Sequence, residues 1–107
     1  MKEPSTRLLD SLTKDNLWIY ILSLLVKKEM YPYEIRREIT KVFGFNPGTV
    51  TAYVVLYKLE KDGYVRYGET KKISGPERKY YKITIKGRNE LKNGKRIFRD
   101  ILKNKMI

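Results

Sequence analysis

The side chains of this 107-residue chain that could do chemistry are mostly cations and phenols. There are 24 Lys and Arg, 12 Asp and Glu and nine Tyr, with neither Cys nor His. The lack of Cys excludes thiolate nucleophiles and zinc–thiolate sites, and the lack of His removes the usual general base near neutral pH. Glu60 and Asp62 lie at a predicted helix end and form no paired-carboxylate site. We therefore expect no enzyme, metal or cofactor, and a role in binding anions.

The net charge of +12 is concentrated in the second half of the chain. Residues 1–53 carry eight basic and six acidic side chains, a net +2, whereas residues 54–107 carry 16 basic and six acidic ones, a net +10. Such an asymmetry indicates a polyanionic partner, either nucleic acid or an anionic membrane surface. The alternative is a solvated basic surface that only keeps the protein in solution.

The apolar segment at residues 17–26 bears on the membrane alternative. Nine of its ten residues are apolar, but ten helical residues span only about 15 Å, half of a bilayer core. Its acidic flanks and its distance from the first residue are unlike a secretory signal. We expect a buried helix in a cytoplasmic protein, with no membrane partner.

The elements that must position the charged residues are four main helices and a hairpin. Helical spacing, caps and terminating glycines predict the helices. Their ranges are about 13–28, 32–43, 47–62 and 85–105. Thr13 or Asp15 is predicted to cap the first, Asn46 with Pro47 to open the third, and Thr84 to cap the last. Residues 1–12 carry leucines at helical spacing and predict a short helix or docking arm.

The pattern changes after Gly63 to that of a β-hairpin. Residues 64–67 and 79–85 mix β-branched, aromatic and charged types, and residues 74–77 favour a turn. Three helices with a break before the third, followed by a hairpin, indicate a winged helix-turn-helix, which is a mostly α, α+β fold. We expect an N-terminal arm at 1–12, this DNA-binding domain at 13–85 and a C-terminal dimerisation helix at 86–107.

The predicted third helix has two faces. Ala52, Val55, Leu56 and Leu59 fall on one side and predict a core stripe. In a winged helix this element lies in the major groove, where its free face contacts bases and phosphates. The predicted DNA contacts of this helix and its entrance are Asn46, Gly48, Thr49, Val50, Tyr53, Val54, Tyr57, Lys58 and Lys61. Alternatively, Val54 and Tyr57 pack against the second helix or the hairpin.

The predicted hairpin loop brings four cations together around a tight turn. They are Lys71, Lys72, Arg78 and Lys79. Contact with DNA phosphates is the functional interpretation, and a loop that keeps its charges in water is the alternative. Tyr80 and Tyr81 alternate between sheet faces, so one is predicted to pack inward and the other to lie near the basic surface.

Three segments carry a family resemblance: residues 33–35 (YEI), 56–65 (LYKLEKDGYV) and, most specifically, 75–88 (GPERKYYKITIKGR). They resemble the PadR family of winged-helix transcriptional regulators in its short form, over about residues 13–92. The resemblance implies a dimer that binds a palindromic operator. Tyr31 and Pro32 depart from the family, which has a small residue and Gly there. The recognition helix of the family can be aligned in two ways, either on the Pro-Gly-Thr of residues 47–49 or on Tyr53.

The predicted last helix presents an apolar stripe that needs a cover. A second copy of the chain is the simplest cover, through a two-fold contact with the partner's first helix or N-terminal arm. Docking on its own domain is the alternative. The predicted dimer-interface residues are Leu8, Leu12, Leu91, Phe98, Ile101 and Leu102. Gly87 is predicted to allow a close approach where this helix begins.

The leading hypothesis is a homodimeric, sequence-specific double-stranded DNA-binding regulator, and specifically a repressor. Its recognition helix at about 47–62 lies in the major groove, and its wing at 71–79 contacts the backbone. The alternatives are a non-specific nucleic-acid-binding or chromatin-associated basic protein, and a module that binds protein. Some PadR-like relatives bind small aromatic effectors between subunits. Trp18 and Tyr20 are candidates to line such a space, with plain core packing as the alternative.

Overall fold

The computed structural model describes residues 3–71 and 75–104, with the exception of the side chains of 69–71. Within these ranges, five α-helices and two strands follow one another in the predicted order. They are α1 (Pro4–Leu12), α2 (Leu17–Lys27), α3 (Pro32–Glu38), α4 (Thr49–Lys61), β1 (Val65–Lys71), β2 (Arg78–Ile83) and α5 (Ile85–Lys103). A 3-10 turn at Lys14–Asn16 precedes α2, and a π turn at Ile39–Phe43 continues α3. The fold is mostly helical with one hairpin, as predicted.

The core is built around α2, which is apolar on nearly all sides. Ile21 and Leu22 of this helix are completely inaccessible. Ile35 and Ile39 pack on it from α3 and the π turn, and Leu56 from α4. Each such side chain contributes about 1.5–3 kcal/mol through burial. In the part of the chain that the structure describes, no helix is long and apolar enough to cross a membrane.

Two predicted helix starts were wrong. The helix α4 begins at Thr49, with Gly48 in an extended conformation before it, and not at Asn46 and Pro47. Pro47 is instead buried in the loop that precedes α4. The φ angle that its ring fixes suits an extended loop as well as a first helical turn. Similarly, α2 begins at Leu17, and the hydroxyl of Thr13 donates to the Leu9 carbonyl at the end of α1, with an O···O distance of 2.7 Å.

The hairpin is antiparallel and carries an irregularity. Tyr67 pairs with Tyr81 and Arg66 with Lys82, and the register then shifts between Tyr67 and Thr70, which marks a β-bulge. Met30 adds a bridge on the other side of β2. Its backbone exchanges two hydrogen bonds with Tyr81, with N···O distances of 3.3 and 2.9 Å. The sequence did not predict this bridge, which ties the start of α3 to the wing.

The two wing tyrosines divide between the sheet faces as predicted. Tyr81 is buried in the core, whereas Tyr80 is only partly buried and meets the ring of Tyr31 edge to face, with centroids 5.4 Å apart. Cross-strand partners share a face, so Tyr67 lies on the side of Tyr81 and Arg66 on the opposite side with Lys82.

The last helix docks on α2 through its first half. The Thr84 hydroxyl caps it by accepting a hydrogen bond from the Gly87 N–H at 3.0 Å, as predicted. A Cβ on Gly87 would collide with the Tyr64 carbonyl oxygen, which confirms the predicted close approach. At Gly94 a Cβ would lie 2.8 Å from the Trp18 ring. Two glycines therefore allow α5 to lie close to the domain.

Candidate nucleic-acid interface

The free face of α4 is apolar and aromatic, with lysines near its end. Its large exposed side chains are 47–77% accessible, and they are Val50, Tyr53, Val54 and Tyr57. Lys58 and Lys61 are exposed as well. The opposite side is buried at Ala52, Leu56 and Leu59, which confirms the core stripe apart from the half-buried Val55. Because Val54 and Tyr57 are exposed, the alternative that they pack inward does not hold.

Tyr53 shares a concavity of about 280 Å³ with the base of the wing. The other lining residues come from the start of α3 and from the hairpin, and they are Tyr31, Pro32, Tyr33, Glu77, Arg78, Lys79 and Tyr81. The helix face and the wing, which the sequence predicted as separate contacts, therefore form one continuous surface. Residues that line one concavity can contact one groove and its adjoining backbone together.

Arg78 is held against an aromatic ring. Its guanidinium carbon lies 4.5 Å from the centroid of Tyr31, whose ring in turn contacts Tyr80. A guanidinium over a ring face is stabilised by about 0.5–1 kcal/mol at exposed sites. Tyr31 is also the position at which the chain departs from the PadR pattern. This departure gives Arg78 a platform that a small residue would not provide.

The neighbouring Lys79 lies on the other side of β2. Its Nζ is 4.2 Å from the ring centroid of Tyr67 and 5.3 Å from that of Tyr81. Within residues 3–71 and 75–104, neither Arg78 nor Lys79 forms an ion pair. Both charges are thus held by aromatic rings and stay available to phosphate. Lys72 and the side chain of Lys71 lie outside the described residues.

A second basic concavity, of about 380 Å³, lies beside the entrance to α4. Its described lining contains three cations and no carboxylate, and consists of Tyr33, Arg36, Arg37, Thr40, Lys41 and Asn46. The Nε of Arg36 is buried and has no hydrogen-bond partner among the residues that the structure describes. The guanidinium carbon of Arg37 lies 5.8 Å from the Tyr33 ring centroid. These side chains place a concentrated positive charge beside the residues predicted to contact DNA.

Of this second concavity, the sequence singled out only Asn46. The nearly balanced charge of residues 1–53 concealed the rest, because a sum over the segment does not show which side chains share a surface. Glu34, which lies two residues before Arg36, pairs with Lys28 at 3.0 Å and does not line the concavity. That hydrogen bond and the charge of Glu34 raise the pKa of Lys28. The signal in the sequence was the pair Arg36 and Arg37 followed one helical turn later by Lys41.

The residues predicted for a dimer interface divide between core and surface. Leu91 is only 4% exposed and lies in the core of its own chain, so its assignment to an interface was wrong. The first half of α5 docks on α2, which the sequence had left as the alternative. Leu8, Leu12, Ile101 and Leu102 are exposed, and Phe98 is partly buried against the core.

The two aromatic candidates for an effector site have different surroundings. Trp18 lines an apolar cleft of about 250 Å³ between α2 and α5, together with Gly94, Phe98 and Ile101. Tyr20 packs against other aromatic rings and donates its hydroxyl hydrogen to the Leu12 carbonyl. Burial raises the pKa of Tyr20. The part of the chain that the structure describes contains no cluster of acidic side chains that could hold a metal.

Comparison with known proteins connects this geometry to a family. Residues 21–93 match the model of the transcriptional regulator PadR-like family. The crystal structure of a PadR family transcription regulator from Clostridium difficile R20291 is similar, with 32% identity, a TM-score of 0.72, and coverage of 80% of this chain and 90% of that one. This family consists of transcriptional regulators and not of enzymes, as the composition indicated.

Two further relatives extend the comparison. Bacillus subtilis PadR, crystallised in complex with operator DNA, is 29% identical with a TM-score of 0.65, over 72% of this chain and 45% of that one. An uncharacterized protein X from Lysinibacillus sphaericus is 38% identical over 72 residues. This match covers 64% of each chain, so it spans less than two thirds of that relative's length.

Proposed function

The chain belongs to the PadR-like family of transcriptional regulators, and on this basis we propose that it is a homodimeric, sequence-specific regulator that binds double-stranded DNA. The observation that carries the proposal is the continuous surface formed by the free face of α4 and the wing residues Arg78 and Lys79. In this proposal α4 enters the major groove and the wing at 71–79 lies on the adjacent backbone. We also propose that it acts in the cytoplasm.

The α4 face supplies both base and backbone contacts in the proposed complex. Val50 and Val54 suit the methyl groups of thymine, while Tyr53 and Tyr57 offer a ring and a hydroxyl. Lys58 and Lys61 contact phosphates. An exposed valine side chain makes no favourable polar interaction with water. A partner surface that covers Val50 and Val54 therefore explains their position better than solvation does.

The entrance to α4 supplies further phosphate contacts in this proposal. The backbone N–H groups that follow Gly48 and Thr49 are free at the helix start and favour an anion. Arg36, Arg37 and Lys41 lie in the adjoining concavity with Asn46. Arginine binds phosphate through two parallel hydrogen bonds, which fixes the register of a protein on the duplex without reading sequence.

Dimerisation is supported by apolar faces at both ends of the chain. None of the residues of α1 is buried, and its leucines Leu8 and Leu9 are each 59% exposed. Ile101 and Leu102 are exposed on α5. A two-fold contact would cover these faces with one another. Two α4 helices would then read half-sites about 34–36 Å apart in a palindrome.

We further infer that the protein represses transcription, because a dimer bound to promoter DNA excludes other proteins from it.

A small-molecule effector is the second part of this inference. The cleft beside Trp18 measures about 250 Å³, which is below the roughly 300–1,000 Å³ of drug-sized sites. Two such clefts facing each other across a dimer would reach that range.

The test is an unbiased selection of bound fragments from random DNA, followed by titration of the selected fragment at several salt concentrations. We expect affinity to fall steeply with salt. Tyr53→Ala should lose sequence preference more than bulk affinity, because it removes a base contact and no charge. Equal binding of selected and scrambled fragments by the wild-type protein would overturn the proposal.

Non-specific nucleic-acid binding is the second candidate, and the net charge of +12 favours it. The two candidates differ in the ratio of affinities for selected and competitor DNA. Specific regulators bind their sites typically 10³–10⁷-fold tighter than other DNA, in order of magnitude. A ratio near one with strong salt dependence would support the second candidate.

A further inference from the structure

A third group of cations lies on the outer face of the hairpin. It lines a concavity of about 360 Å³ where the end of α2, both strands and the first turn of α5 meet. We call its four cations Lys27, Arg66, Lys82 and Arg88 the outer surface. Lys28, Glu29 and three apolar residues complete the described lining.

The outer surface faces away from α4. Arg66 and Lys82 are cross-strand partners and therefore share one face of the hairpin. Their sequence neighbours Val65 and Tyr81 point the other way, into the core that contains α2 and α4. No residue of α4, which the structure describes in full, lines this concavity. The outer surface is thus distinct from the concavity that Tyr53 shares with the wing, although Arg78 alternates onto the same face of the hairpin as Lys82.

The four cations have no acidic partner on the described part of the protein. Among residues 3–71 and 75–104, none of them takes part in an ion pair. Lys28 is engaged by Glu34. Glu29 is the only carboxylate of the described lining. Its Oε1 is buried against Gly68, 2.5 Å from the position that a Cβ on that glycine would take. The described lining therefore carries an excess of positive charge even with Glu29 counted, and cations that repel each other in this way are relieved by a polyanion.

We propose that the outer surface binds the phosphates of double-stranded DNA beyond the segment contacted by α4. The inference rests on the proposed function and adds a second contact to it. Small-molecule sites enclose their ligand and use fixed, buried polar groups. Here Lys27, Arg66 and Arg88 are exposed on long side chains, which suits phosphates that remain solvated and are bound through release of counterions.

The experiment compares two fragments: the selected sequence alone, and the same sequence with about one and a half helical turns of random duplex on each side. Wild-type protein should bind the longer fragment more tightly and with a steeper salt dependence. In Arg66→Ala/Lys82→Ala this gain should disappear, and the slope of log affinity against log salt for the longer fragment should fall by about 2. Binding of the short fragment should be unchanged.

Two matched variants separate position from charge. Lys92→Ala/Lys95→Ala also removes two exposed cations, from α5, and should keep the gain from flanking DNA. Arg66→Lys/Lys82→Arg keeps both charges and should behave as wild type. The inference is overturned if Arg66→Ala/Lys82→Ala keeps the gain in affinity from flanking DNA, or loses no more of that gain than Lys92→Ala/Lys95→Ala. It is also overturned if Arg66→Ala/Lys82→Ala weakens binding of the short fragment as much as binding of the longer one.

Failure of the proposed function is a different result, namely that wild-type protein does not distinguish selected from scrambled DNA. In that case the slope of log affinity against log salt, measured with a random duplex, still tests the outer surface. A lower slope for Arg66→Ala/Lys82→Ala than for Lys92→Ala/Lys95→Ala supports the outer surface, and equal slopes overturn it.

Discussion

At the scale of single residues, the interface is organised by aromatic rings that hold cations. Arg78 lies over Tyr31, and Lys79 lies over Tyr67 on the opposite side of the same strand. A long basic side chain that is already ordered loses less conformational entropy when it meets a phosphate. We therefore expect these rings to raise the affinity for DNA by ordering the cations.

We predict that Tyr31→Leu weakens binding of the selected DNA fragment by about two- to fivefold, which corresponds to the loss of roughly 0.5–1 kcal/mol of cation–ring attraction. The measurement is a fluorescence anisotropy titration at fixed salt. Tyr31→Phe is the control, because it keeps the ring and removes only the hydroxyl. An equal loss in both variants would contradict this role of the ring.

Gly94 offers a second prediction at this scale. Alanine there should stabilise a helix by about 1 kcal/mol from propensity alone. The added Cβ would, however, lie 2.8 Å from the Trp18 ring and 2.9 Å from Ile19, and overpacking of this kind costs about 1–3 kcal/mol. We therefore expect Gly94→Ala to lower the free energy of unfolding.

Urea unfolding measures the Gly94→Ala effect, and Gly48→Ala is the matched control. The Cβ at Gly48 would meet nothing closer than Thr51 at 3.6 Å, so its effect should remain within about 0.5 kcal/mol. Stabilisation by Gly94→Ala would mean that α2 and α5 are not in tight contact.

At the scale of elements, the order and type of the four main helices and the two strands followed from local patterns, whereas residues 1–12 were left open between a short helix and a docking arm. Terminating glycines and alternating residues act within a few positions, so they are visible in a sequence. The start of α4 was predicted two residues early because the burial of Pro47 depends on the rest of the fold. The Met30 bridge to Tyr81 joins residues about fifty positions apart, and no local pattern encodes it.

The candidate site was predictable to a similar extent. Exposure of Tyr53 followed from helical periodicity, because the buried stripe leaves the other face free. The exposure of Tyr57 was left open by the sequence and is settled by the structure. The Arg36 concavity did not follow from periodicity, since it requires knowing that Glu34 turns toward Lys28. Burial of Leu91 also depended on docking between elements distant in sequence.

The contact of α1 with α2 gives a prediction with a definite pH dependence. Tyr20 donates to the Leu12 carbonyl, and its pKa is raised by burial. Because the folded state favours the neutral phenol, this contribution is complete below the unfolded pKa of about 10 and is lost as pH rises through the folded pKa. The stability of the wild type should therefore decline above about pH 10.

Tyr20→Phe isolates that contribution from the other eight tyrosines. At neutral pH it should cost about 0.5–1.5 kcal/mol for the lost hydrogen bond, toward the lower end because the pair is exposed. Above pH 10 the difference between the variant and the wild type should shrink. Thermal unfolding at a series of pH values measures it, and a constant difference across the series would contradict the assignment.

At the scale of the whole molecule, exposed apolar residues occur at the two ends of the chain as well as on α4. Leu8 and Leu9 lie on α1, and Ile101 and Leu102 lie near the end of α5. The docked first half of α5 fixes the direction in which its second half projects. Assembly and DNA binding are therefore expected to depend on different parts of the chain.

If the proposed dimer forms through the end of α5, Leu102→Asp should give a monomer in sedimentation equilibrium and weaken binding to a palindromic fragment more than to a single half-site. Burying a charge in an apolar contact is strongly unfavourable. Ile85→Asp is the control, because Ile85 is 80% exposed against 76% for Leu102 and lies at the opposite end of the same helix. Dissociation by both variants, or by neither, would contradict a dimer contact at the end of α5.

The short Met30 bridge has a mechanical consequence for the wing. Because β2 is bonded to β1 on one edge and to Met30 on the other, the base of the hairpin cannot tilt without straining the link between α2 and α3. The bulge after Tyr67 interrupts the ladder beyond that base. We therefore expect the base of the wing to keep its orientation relative to α4.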